Sequence, residues 1–356
     1  MTMTATYEEH WLKGPQSTSF YCRVYRAEKP RAILVFLHGF IEHIGRFAHV
    51  FPRWQEHGVS VFAYDQRGFG KTAEDVEHRS TDSSYGKTSG EHQLEDAEWA
   101  VGEAKSRLGE GLPVFVMGHS MGGGIVLDLA TRTKHSIAGI VASAPLILQT
   151  KAAPKIARYV GGKISVLTPY TNIPASVNAN DLSRDKKVAE EYLKDPLVKQ
   201  KASLKCISDM LNRGEELLEK HFAEWPTELP LLIVHGTEDK VTSPRASLRF
   251  YETLPAKDKE YSSYTGCYHE LHNEIDGMKE KFINECISWM SKHSPQEILD
   301  ISESRETFIA LTDTELMFLT PLMVSRSLDD MDASWKDRPV WRVPTRNLLE
   351  ILSAMY

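Results

Sequence analysis

The sequence predicts an α/β protein built on a mostly parallel central sheet flanked by helices. Three observations predict it. Short, continuous apolar runs of strand length recur along the chain. Segments with apolar residues at helical spacing separate them. The alternation lapses once, between about Leu146 and Trp225, and then resumes, as it does when one domain carries an insertion. Strands covered on both faces read as unbroken apolar runs, and parallel neighbours need a crossover between them, so the alternation carries the prediction.

The elements follow in order. "AILVFLHG" (Ala32–Gly39) is a strand ending in a turn. "IGRFAHVFPRWQEHG" has helical spacing, with Phe47, Val50, Phe51 and Trp54 on one face. "VSVFAYD" is the second strand, and "EHQLEDAEWAVGEAKSRLG" is an amphipathic helix with Leu94, Ala97, Val101 and Ala104 on its apolar side. "PVFVMGHS" is a third strand, "GGGIVLDLATRTK" a helix and "IAGIVASAP" a fourth strand. The following stretch reads as helices and loops punctuated by Pro154, Pro169, Pro174 and Pro196. "PLLIVHGTED", the helix "PRASLRFYETL", a strand around "KEYSSYTG" and the helix "GMKEKFINECISWMSKH" complete the core. The expected domains are a core at 1–147 and 226–294, a mostly helical cap at 148–225 and a C-terminal extension at 295–356. From Glu297 to Glu350 that extension holds 11 Asp/Glu against 6 Lys/Arg, yet "FIALTDTELMFLTPLMV" is too apolar for a purely disordered tail, so packing on the body or partner binding are its two readings.

Composition narrows the function. Hydrophobic residues make up 41% and charged residues 26% of the 356 positions, as in a globular domain. A formal net charge of −7 argues against nucleic acid as a partner. The start, "MTMTATYEEHWLKG", lacks the apolar core of a secretory signal. No run approaches the roughly 18 apolar residues of a membrane span. Cys22, Cys206, Cys267 and Cys286 are scattered without metal-ligand spacing, which reads as free thiols and a cytoplasmic location.

The chemistry concentrates around Ser120. Gly118-His119-Ser120-Met121-Gly122 fits G-x-S-x-G, placed after a strand and before a helix. There a sharp turn lifts the serine hydroxyl while small neighbours let the chain double back, and the next N–H points at the same spot. Serine needs a base, and in this arrangement the acid and the histidine follow it in the chain. Glu238 and Asp239 are adjacent after the strand of "LLIVHGTEDKV"; Asp239 is the preferred acid. His269 and His272 both follow "KEYSSYTG"; His269, nearer the strand end, is the preferred base, and His293 reads as a helix-end residue. The two N–H donors of an oxyanion hole are assigned to Met121 and to Phe40 in the loop after the first strand. Gly70-Lys71-Thr72 and Gly86-Lys87-Thr88 imitate phosphate-loop endings. Both lack the glycine five residues before, where Asp65 and Thr81 stand.

With these residues in place, the chain resembles the monoacylglycerol lipases of the α/β-hydrolase family. The resemblance rests on "HGFIEHIGRF", "YDQRGFGKT", "GHSMGG", "LSRDKKVAEEYLKDPL", "HGTEDKV" and "YHELHNE", and covers roughly residues 10–293 in order. It implies an α/β-hydrolase fold, and a catalytic set of Ser120, Asp239 and His269 with oxyanion donors at Phe40 and Met121. It also implies a glycerol-side pocket of Glu42, Arg46, Tyr192 and His272, whose other reading is packing at the junction of cap and core. The implied reaction is hydrolysis of monoacylglycerols to fatty acid and glycerol, without metal or organic cofactor. A related carboxylesterase, lysophospholipase or thioesterase is the alternative, and a non-catalytic interaction protein a third. Finally, Leu129 to Asn180 contains no Asp or Glu but holds Arg132, Lys134, Lys151, Lys155, Arg158 and Lys163. Ile156, Tyr159, Val160, Ile164 and Leu167 recur in it at helical spacing, and Gly161-Gly162 would weaken a helix there. A basic, apolar-striped cap suits peripheral contact with a membrane or lipid-droplet surface; the alternative is closure over the core with solvated lysines.

Overall fold

The computed structural model describes residues 7–151 and 165–294. The extension at 295–356 lies outside the described residues, as do Ile156, Tyr159, Val160, Gly161, Gly162 and Ile164 of the expected lid.

The chain opens with β1 (Glu8–Lys13) and β2 (Ser19–Tyr25), an antiparallel pair ahead of the first strand expected from sequence. Apolar periodicity gives no sign of β1, because it is an edge strand whose residues are exposed or half-buried. Glu8 and Glu9 there blunt the edge against pairing with another chain. β3 (Ala32–Leu37) is buried along its whole length. The expected helix after it is divided into a short 3-10 turn (Ile44–Phe47) and α1 (Phe51–Glu56). Pro52 accounts for the break: without an N–H it fits the first turn of a helix but not its interior.

β4 (Val59–Tyr64), α2 (Gly70–Glu74) and α3 (Gly90–Leu108) come next. The Ser89 side chain caps α3 by accepting the N–H of His92, a cap worth about 1 kcal/mol. Then come β5 (Val114–His119), α4 (Met121–Ala130) and β6 (Gly139–Ser143). The insertion follows β6. Its described part holds α5 (Lys186–Lys194) and α6 (Leu204–Glu219), and β7 (Asn172–Pro174) pairs antiparallel with β8 (Lys201–Ser203). The core resumes with β9 (Leu231–Gly236), α7 (Pro244–Thr253), β10 (Lys259–Tyr264) and α8 (Met278–His293).

The main sheet has eight strands in the order β1-β2-β4-β3-β5-β6-β9-β10. From β4 to β10 every neighbouring pair is parallel. Side chains alternate between its faces. Ile33, Val35 and Leu37 of β3 join the layer containing Ala97, Val101, Ile125 and Leu127 of α3 and α4. Leu34 and Phe36 join the opposite layer with Phe51, Trp54 and Trp289 of α1 and α8. Each large side chain buried there contributes on the order of 2–3 kcal/mol. The C-terminal ends of β3, β5, β9 and β10 share one rim, the usual place for a site in an open α/β sheet.

Candidate active site

The serine stands where the geometry is tightest. β5 ends at His119 and α4 begins at Met121, so Ser120 alone makes the turn, with φ 55 and ψ −117. Only a crowded surround holds a serine in that region. Gly118 and Gly122 show the crowding: a Cβ on Gly118 would lie 2.2 Å from the Gly122 carbonyl oxygen, and one on Gly122 would lie 2.3 Å from that of Leu37. The backbone of Ser120 is pinned on both sides, its N–H donating to Ser143 O (3.0 Å) and its carbonyl accepting from Leu146 (2.8 Å). The Met121 N–H opens α4 and, as a first-turn donor, has no carbonyl one turn back to bond. The loop after β3 packs beside the serine, since a Cβ on Gly39 would sit 3.1 Å from Ser120 Cβ. Phe40 follows on that loop, and it lines one cavity with Ser120 and His269.

Asp239 and His269 come from the loops after β9 and β10. His269 Nδ1 lies 2.8 Å from Asp239 Oδ2. A carboxylate only accepts, so Nδ1 carries the hydrogen and the Nε2 lone pair stays free. Asp239 is held from every side. Its Oδ1 accepts the N–H groups of Val241 (2.7 Å) and Thr242 (3.0 Å), and its Oδ2 accepts His235 Nε2–H (3.0 Å) and lies 2.8 Å from the Thr242 hydroxyl. Burial alone would raise its pKa. The His269 charge and the hydrogen bonds of His235 and His269 outweigh burial and hold the carboxyl well below its usual range. For His269, burial works against the charged form, but the Asp239 carboxylate prevails and raises the imidazole above its ordinary value. Glu238, the adjacent carboxylate, is exposed. No hydrogen bond joins Ser120 Oγ to His269 among the described residues, though the two line one cavity.

A polar chamber adjoins Ser120. Glu42 and Arg46 from the β3 side, Tyr192 from α5 and Glu270 line the same cavity as Ser120 and His269. Arg46 donates to Glu42 Oε2 (2.6 Å) and holds Glu270 through two bonds (2.6 and 2.8 Å). Its guanidinium lies 4.9 Å from the centre of the Tyr192 ring. Glu42 Oε1 accepts the Gly39 N–H at 2.5 Å, tying the chamber to the loop that carries Phe40. Two buried carboxylates thus share one cation. Burial opposes ionisation of Glu270, but its doubly bonded Arg46 lowers it to about 2. Burial raises Glu42, and the charge of Glu270 adds to that rise against the pull of Arg46. Glu270 has no signature in the sequence beyond adjacency to His269.

His272 is placed differently from the sequence expectation. Its ring stacks on Phe47 (4.3 Å between centroids) and stands edge-on to His119 (5.0 Å), facing an internal void lined by Phe36, Trp54 and Phe282 instead of the chamber beside Ser120. Burial lowers its pKa to about 3, with nearby positive charge adding to it against the opposing pull of the Glu270 carboxylate. It is therefore a neutral core side chain here, apart from Glu42, Arg46 and Tyr192. His119 lies between, 4.7 Å from the His269 ring, and burial keeps it neutral as well.

Comparison with known proteins points the same way. The sequence profile of the hydrolase family described as "Serine aminopeptidase, S33" matches residues 28–276. A protein of Schizosaccharomyces pombe described as "Putative monoglyceride lipase" is 34% identical over 79% of this chain and 73% of its own length. A crystal structure of a soluble variant of monoglyceride lipase from Saccharomyces cerevisiae, in complex with a substrate analog, is similar with TM-score 0.73 and 27% identity, covering 83% of this chain and 98% of that one. The Paleococcus ferrophilus monoacylglycerol lipase is similar with TM-score 0.67 and 26% identity, covering 77% and 99%.

Proposed function

This chain belongs to the S33 family of hydrolases and, within it, to the monoglyceride lipases, and from that premise we propose that it cleaves the ester bond of monoacylglycerols through Ser120, Asp239 and His269. Ser120 Oγ attacks the ester carbonyl while His269 Nε2 takes its proton and Asp239 holds the imidazole in the right tautomer. The N–H groups of Phe40 and Met121 receive the charge that develops on the carbonyl oxygen. Glycerol leaves with the proton from His269, and water then cleaves the acyl-enzyme by the same steps in reverse.

The observation that carries the substrate assignment is the polar chamber beside Ser120. Glu42, Arg46 and Tyr192 bring acceptors, donors and a phenol hydroxyl to the lining of the cavity beside Ser120, and a leaving group rich in hydroxyls suits them. The test is a panel of mono-, di- and triacylglycerols and lysophospholipids of one acyl chain. Monoacylglycerol is expected among the best substrates; lysophospholipid far ahead of it would contradict the assignment.

The second part of the proposal is peripheral contact of the cap with a lipid surface. Support comes from the large apolar side chains it exposes: Val166 (77%), Leu167 (81%) and, on α5, Leu193 (67%). No helix among the described residues is long and apolar enough to cross a membrane. A surface-seated cap would shorten the path of the acyl chain from lipid to the site, since less apolar area crosses water.

A further inference from the structure

We propose that His43 and Asp195 form a latch between the cap and the loop after β3, and that this latch, which touches no substrate, sets the preference for a polyol leaving group by fixing the two walls of the polar chamber. The inference rests on reading that chamber as the seat of glycerol. One wall is the 3-10 turn Ile44–Phe47, which carries Arg46; the other is α5, which carries Tyr192. His43 immediately precedes the first and Asp195 immediately follows the second.

The hydrogen bonds assign the tautomer of His43. Its Nδ1 accepts the Gly45 N–H at 3.1 Å, capping the turn, so Nδ1 is bare and Nε2 carries the hydrogen. Nε2–H then donates to Asp195 Oδ2 at 2.8 Å. The other oxygen of Asp195 accepts the Leu197 N–H at 2.8 Å, which fixes the carboxylate plane at the end of α5. Both side chains are largely shielded, with 12% and 21% exposed, so the bond is less open to competition from water than a surface pair. The space for the imidazole is built into the backbone: a Cβ on Gly45 would lie 2.7 Å from the ring. This bond ties the His43–Phe47 segment to the end of α5, beside Arg46 stacking on Tyr192, and neither His43 nor Asp195 lines the cavity around Ser120. Residues that act through others in this way move a bound group by fractions of an ångström, and a misplacement of about 1 Å costs as much as a hundredfold in rate.

Two isosteres separate the two bonds of His43. Asn in its place puts an oxygen near Nδ1, keeping the cap to Gly45 and cutting the latch; Gln puts an amide donor near Nε2, keeping the latch and cutting the cap. The experiment measures kcat/KM of the wild type, His43→Asn, His43→Gln and Asp195→Ala for monooleoylglycerol and for p-nitrophenyl oleate, whose leaving group has no hydroxyl chain for the chamber, with thermal melts alongside. His43→Asn and Asp195→Ala are expected to lower the ratio of the two constants about tenfold or more, through the glycerol ester alone, while His43→Gln stays within about threefold of the wild-type ratio. An unchanged ratio in His43→Asn and Asp195→Ala, or an equal loss on both esters, overturns the latch. A wild type that turns over p-nitrophenyl oleate but not monooleoylglycerol overturns instead the glycerol reading on which it rests.

Discussion

The proton-accepting nitrogen of His269 is the atom on which pH acts. The base works only while neutral, and the Asp239 carboxylate raises its pKa above the ordinary 6.5 despite burial. Activity is therefore lost as pH falls through a midpoint above 6.5. Asp239→Asn removes the charge that causes the rise, so the midpoint of the kcat/KM profile is expected to move down while kcat drops by about 10³–10⁴. A profile whose acid limb does not move in Asp239→Asn would detach the two residues. Ser120 was legible in the sequence because its neighbours must be small and its flanks must be strand and helix, and both constraints leave letters behind. The residues that steady Asp239 left none: His235 lies within an apolar strand and Thr242 in a loop, and only folding brings both to its Oδ2. His272 shows the opposite failure. Three residues from His269 in sequence, it turns into the core and stacks on Phe47.

Between elements, the Arg46 cluster joins the turn after β3 to the loop after β10. Arg46 is about nine-tenths shielded, and Glu42 and Glu270 are buried on either side of it. Removing one partner of a buried ion pair leaves an uncompensated charge, which costs about 3–5 kcal/mol. Arg46→Ala is expected to lose stability of that order near neutral pH. Its two orphaned carboxylates would then have folded-state pKa values above their unfolded ones, so the deficit shrinks as pH falls toward the unfolded carboxylate range and both take up protons. Urea unfolding of variant and wild type at pH 7.5 and pH 5 reads this directly; a deficit that grows on acidification would contradict the assignment of charges. Sequence periodicity found the parallel strands and the helices packed on them, but missed β2, which is buried at every position except Arg23. It did not find β1, whose residues face water at the sheet edge, nor the β7–β8 pair, whose strands are three residues each.

For the molecule as a whole, the division of labour is between a sheet that carries the reactive groups on one rim and an insertion that covers them. The insertion was visible as a lapse in alternation, since its helices answer to the core below them and not to a repeating strand–helix pattern. Its outward leucines carry the surface prediction. Leu167→Ser with Leu193→Ser is expected to lower partition onto vesicles of mixed neutral and anionic phospholipid by about a hundredfold or more, because each buried Leu contributes about 1.5–3 kcal/mol, while turnover of a soluble short-chain ester stays unchanged. Unaltered vesicle binding would return these side chains to ordinary surface residues. The most direct measurement is the initial rate of fatty-acid release from monooleoylglycerol by Ser120→Ala beside the wild-type chain. A loss of at least about a thousandfold with the fold intact is the expected result; a variant within about tenfold of wild type would place the nucleophile elsewhere and contradict the mechanism.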